Sequence, residues 1–117
     1  MSSQPIFSVR TESRNDVCCV RLAGEMDMAA VPILQNELTA LGAAPANLLI
    51  DLSGLKFVDS SGLKYLIELH QGQSADDTIE LIDPSDQVSR LIELTGTEFL
   101  VTSQSDSRLL AMFAGPE

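Results

Sequence analysis

Leu49-Ile50-Asp51-Leu52-Ser53-Gly54-Leu55-Lys56-Phe57-Val58-Asp59-Ser60-Ser61-Gly62-Leu63 holds the transition on which the fold turns. Leu48 to Leu52 is a short, nearly continuous apolar run, the pattern of a strand covered on both faces and so of a central or parallel strand. Ser53-Gly54 punctuates it. From Ser60 the period changes. Leu63, Leu66, Ile67 and His70 recur at helical spacing, with Lys64, Glu68 and Gln71 on the other side. Asp59-Ser60-Ser61-Gly62 therefore stands at a loop-to-helix junction. The first N–H groups of a helix lack intrahelical partners, and its dipole is positive at that end. A phosphate on a hydroxyl of that turn would be stabilised. Gly62 puts no side chain beside the hydroxyls, which leaves room for another protein's backbone. The plainer reading of the same residues is a capped helix start with a glycine that permits tight packing.

Upstream, Ile6–Arg10 and Val17–Ala23 read as strands joined by a polar turn, Thr11 to Asp16, and Gly24 ends the second. Met28–Leu41 reads as a helix on the spacing of Val31, Leu34, Leu38 and Leu41. Asp27 is its expected N-cap, Pro32 falls near its first turn, and Gly42 is its expected stop. Downstream, Gly72 to Asp77 reads as a loop and Thr78–Ile82 as a strand. Pro84-Ser85 opens a helix with Val88, Leu91, Ile92 and Thr95 on one face, ended by Gly96. Phe99–Val101 reads as a last strand and Ser107–Phe113 as a last helix. Strands alternating with helices after a two-strand start imply an α/β fold, a mixed sheet with helices mostly on one face.

The chain of 117 residues is one ordinary domain, 1–117, and its 44% hydrophobic residues suffice for an aliphatic core. The net charge of −10 disfavours nucleic acid and an acidic membrane surface, and suits a protein partner with a basic rim; it also simply keeps a small domain soluble. Adjacent Cys18 and Cys19 point to opposite faces if they lie on a strand, so they read as a reduced pair of a cytoplasmic protein. Met1-Ser2-Ser3-Gln4-Pro5 lacks the pattern of a signal peptide, and no apolar stretch approaches a membrane span of about 20 residues.

Ser61-Gly62-Leu63-Lys64 and Ser53-Gly54-Leu55-Lys56 both fit the Ser-x-x-Lys nucleophile pattern, but the companion Ser-Asp-Asn and Lys-Thr-Gly elements are missing. Nucleotide-binding and nucleophile-elbow motifs are also missing, and the sole histidine, His70, reads as structural. The chain is expected to be no enzyme and to need no metal or cofactor.

Asp59-Ser60-Ser61-Gly62-Leu63 after an apolar strand resembles the signature of STAS-domain anti-sigma factor antagonists. Leu22-Ala23-Gly24-Glu25-Met26-Asp27 resembles that family's Gly-Glu-Leu-Asp segment. Pro84-Ser85, Val88, Leu91, Leu94-Thr95-Gly96 and Phe99 resemble its later helix and final strand. The resemblance runs from about residue 7 to 113. It implies a STAS fold and a partner-switching role. The unphosphorylated protein binds an anti-sigma factor that is also a serine kinase, and so frees a sigma factor. Phosphorylation of a signature serine breaks the complex, and a serine phosphatase restores it. Carried over by position, the phosphorylated serine is Ser61, and Asp27, Asp59, Ser60, Ser61, Gly62 and Lys64 form the partner-binding set. Single STAS domains also resemble accessory subunits of lipid-transporting ABC-type ATPase complexes, whose docking needs no phosphorylation.

Overall fold

The computed structural model describes residues 6–41, 47–72 and 77–116. Gly42, read above as a helix stop, and residues 73–76 of the loop read from Gly72 to Asp77 lie outside these.

Chain order is β1 (Phe7–Arg14), β2 (Val17–Met26), α1 (Ala30–Ala40), β3 (Asn47–Val58), α2 (Ser60–Gln71), β4 (Thr78–Ile82), α3 (Asp86–Thr95), a short 3-10 turn (Glu98–Leu100) and α4 (Arg108–Ala114). The sheet runs β1-β2-β3-β4. β1 and β2 are antiparallel, whereas β2–β3 and β3–β4 are parallel. Parallel neighbours need a crossover, and α1 and α2 supply the two.

The sheet is packed unequally. One face carries the main core, in which Val20, Leu22, Met26, Leu34, Leu48, Ile50, Leu55, Leu66, Val88 and Ile92 are buried under α1, α2 and α3. On the other face Val17, Cys19, Leu49 and Ile82 meet Leu109 of α4. The expectation of a mixed sheet with helices mostly on one face holds. Alternation along β2 sends Cys18 into the first core and Cys19 into the second. Both thiols are free, and burial pushes that of Cys19 up.

Four local expectations need correction, the first being the stop at Gly24, since β2 runs past it to Met26. The polar segment from Thr11 is strand as far as Arg14, and the turn is only Asn15-Asp16, both at positive φ (53° and 63°), as a tight hairpin of this twist demands. Arg10 to Ser13 look turn-like because β1 is an edge strand exposed on much of its surface. Ser53-Gly54 does not end β3, which continues to Val58 across irregular pairing with β2. Phe99 and Leu100 lie in the 3-10 turn, and only Val101 makes a bridge, parallel to Leu81.

α4 is fastened at both ends. At its start Ser107 Oγ and the Leu109 N–H both donate to Glu80 Oε1, at 2.7 and 2.9 Å. At its end the Asn15 side chain donates to the carbonyls of Met112 and Gly115, at 2.9 and 3.1 Å, and Arg14 donates to Gly115 O at 2.9 Å.

Candidate functional site

The register of β2 on β3 builds the site. Met26 pairs with Val58 at the carboxyl ends of two parallel neighbours, so the residues that follow, Asp27 and Asp59, emerge side by side. Ligands of open α/β sheets bind at such carboxyl ends. The Asp59 N–H donates to Met26 O at 3.1 Å, tying the two strand ends together.

Asp59 is the N-cap of α2 and its carboxylate accepts from the Gly62 N–H at 2.8 Å. Asp27 accepts from the Ala30 N–H at 3.0 Å; it serves the first turn of α1 from outside, because the helix begins at Ala30 with Ala29 in the cap position. Both acids thus cap, and both remain partly exposed beside Met28 and Ala29, where the four residues line one shallow depression.

Ser60 is exposed and Ser61 half-buried, on the first turn of α2. Ser61 opens onto a groove of about 280 Å³ between α1 and α2, together with Met28, Val31, Pro32, Gln35, Lys64, Tyr65 and Glu68. Lys64, one turn beyond Ser61, is exposed and brings a cation to the groove. Burial, and then the neighbouring Glu68, push the Tyr65 phenol above its ordinary range, so it stays a neutral hydrogen-bonding group. Met28 is 72% exposed and Phe57 50%, large apolar side chains left in solvent next in sequence or nearly so to the two acids. His70 stands away from this face, edge-on to Phe99 with ring centroids 5.8 Å apart.

Gly62 does not open the surface to a visitor. It is buried, and a Cβ there would stand 2.4 Å from Met26 O and 3.0 Å from Met26 Cγ. Its missing side chain lets α2 start directly against the end of β2, so its contribution to the site is to set how close Ser61 sits to Asp27's loop.

The structure therefore brings Asp27, Asp59, Ser60, Ser61 and Lys64 to one end of the sheet, with Gly62 beneath them. Sequence reading missed the α1 wall of the groove, Val31, Pro32 and Gln35, and the exposed Met28. Only the packing of two crossover helices side by side reveals it.

Comparison with known proteins bears on the family and the fold. The chain is 27% identical over 97 residues to the anti-sigma-B factor antagonist of Bacillus subtilis (strain 168), covering 82% of this chain and 88% of that one. It superposes on an anti-sigma factor antagonist from Mycobacterium paratuberculosis with a TM-score of 0.71 at 28% identity, covering 83% and 84% of the two chains. The unphosphorylated form of the anti-sigma factor antagonist SpoIIAA shares the fold, with a TM-score of 0.66 at 21% identity over 82% of this chain and 87% of that one. The family model described as "Mlab, STAS domain" matches residues 9–102, and the chain belongs to that STAS-domain family.

Proposed function

We propose that this chain is an anti-sigma factor antagonist, a binding protein without catalysis of its own, working in the cytoplasm. In this reading it docks on an anti-sigma factor that is also a serine kinase, frees a sigma factor, and is switched off by phosphorylation of Ser61 and restored by a serine phosphatase. The observation that carries the reading is a partly exposed serine on the first turn of a helix, flanked by two carboxylates and an apolar groove at one sheet end. The named function of the relatives supports it.

A phosphate on Ser61 adds about −1.5 to −2 charges. The first turn of α2 tolerates that locally through its free N–H groups and dipole. A partner surface pressed against Met28 and Ser61 does not, because a buried unpaired charge is costly. Release then follows from repulsion and desolvation, with the fold intact.

The test is affinity capture from the native host with the unmodified chain as bait, followed by mass spectrometry of the bound proteins and of Ser61. A small kinase-like protein supports the proposal. Capture of a membrane transporter's ATPase instead would move the same face to the accessory-subunit reading.

Asp27 offers a sharper check. Asn accepts the Ala30 N–H as Asp27 does, but without charge. Asp27→Asn should keep its melting temperature within a degree or two while partner affinity or the phosphorylation rate falls. Unchanged binding and phosphorylation would reduce Asp27 to a cap.

A further inference from the structure

We infer that the free edge of β1 pairs with β1 of a second copy, antiparallel and centred on Thr11, joining two four-stranded sheets into one. β1 lies at the edge of the sheet order, and among the described residues no strand covers its outer side.

The hydrogen-bonding phase can be read from the hairpin. The Glu25 N–H donates to Ile6 O at 2.8 Å, so Ile6 turns its polar groups toward β2. Alternation in an antiparallel pair gives Ser8, Arg10, Glu12 and Arg14 the same orientation, and turns the N–H and C=O groups of Phe7, Val9, Thr11 and Ser13 outward. A second strand can therefore join only in registers that match outward residues to outward residues.

Charge selects among those registers. Centring on Arg10 sets Arg10 against itself, and centring on Glu12 sets Glu12 against itself and Arg10 against Arg14; like charges directly opposite are destabilising. Centring on Val9 shortens the overlap, and centring on Ser13 runs into the turn at Asn15-Asp16. Centring on Thr11 gives two mutual hydrogen bonds between the Thr11 backbones, sets Val9 opposite Ser13, and places Arg10 opposite Glu12 twice. Arg10 also needs an acid. Across the hairpin it is paired with Arg21, and the Glu12 of its own chain is already held by Arg21 at 3.0 Å. Charges on an edge strand normally discourage pairing, but this sequence is complementary to itself in one register. The edge contains none of the residues of the Ser61 site, so the inference stands apart from the proposed function.

Sedimentation equilibrium of the full chain, from micromolar to millimolar concentration, tests this. The expected result is a concentration-dependent dimer. R10E places acid against acid, E12R places base against base, and each should weaken self-association at least about tenfold. Mixing the two variants one to one should restore the dimer, because each mixed pair is again of opposite charge. Thr11→Pro removes an outward N–H that β2 does not use, and should abolish the dimer while circular dichroism shows a folded chain. A wild type that stays monomeric throughout, a dimer indifferent to all three changes, or folded variants that fail to pair on mixing would each overturn the inference.

Discussion

A chain phosphorylated at Ser61 is expected to bind its partner at least about a hundredfold more weakly than the unmodified chain, a loss of about 3 kcal/mol. Ser61 is central to this figure because it lies on the groove wall with Met28 on one side and Lys64 on the other. Asp27 and Asp59 already concentrate negative charge at this sheet end, so a phosphate there adds to a field that a partner must match. Lys64 and the helix start stabilise the phosphate in the free protein, which widens the gap between free and bound states. Titration calorimetry with the captured partner measures the effect. Ser61→Ala should bind within a few-fold of the wild type and accept no phosphate, since trimming a surface hydroxyl changes little else. Equal affinity of the phosphorylated and unmodified chains would remove the switch. Phosphate incorporation into Ser61→Ala would move the modified position to Ser60.

Gly24→Ala should be the most destabilising small substitution in the described chain, costing on the order of 3–5 kcal/mol from backbone strain together with overpacking. Gly24 has φ +94°, and an added Cβ would lie 1.9 Å from Ile6 O and 2.9 Å from its carbonyl carbon. Both are backbone atoms, held in place by the bond from Glu25. The pairing of β2 with β3 shifts register just after Gly24, so the residue sits at a bulge that redirects the strand toward Met26 and Asp27. Relief of the clash would open the start of β1 and disturb that bulge. Urea unfolding checks the figure; a loss below about 1 kcal/mol would show that this end of the sheet yields easily.

Some of this architecture was legible in the residues and some was not. Thr78–Ile82, the helix opened by Ser85 and the stop at Gly96 were readable because each rests on local chemistry: a β-branched run, a hydroxyl accepting from the Val88 N–H, a glycine at φ +68°. The Asp59 cap was readable for the same reason. The length of β3 was not, because its continuation past Gly54 depends on a close approach to Leu22 O, where a Cβ would sit at 2.7 Å. Gly62 carries no sign in the sequence of whether it faces a partner or Met26, and only the meeting of α2 with β2 decides that. Asp27 and Asp59, 32 positions apart in the chain, come together because crossover loops of an α/β sheet gather at one edge, while the groove wall from α1 depends on how two helices pack and follows from no local pattern.

The unequal covering of the sheet makes the two adjacent cysteines independent reporters of opening. Among the described residues the second face is sealed by α4 alone, seven residues with Leu109 as the buried anchor, whereas the first lies beneath three helices. Elements with few buried apolar contacts detach at free energies well below that of global unfolding. Departure of α4 would bare Cys19 and leave Cys18 covered. In native-state labelling with a thiol reagent, a chain keeping only Cys19 should react through this sub-global event, with a rate little altered by low denaturant. A chain keeping only Cys18 should react only as fast as the whole molecule unfolds. Two neighbouring sulfurs would then time separately the loosening of one helix and the loss of the entire fold.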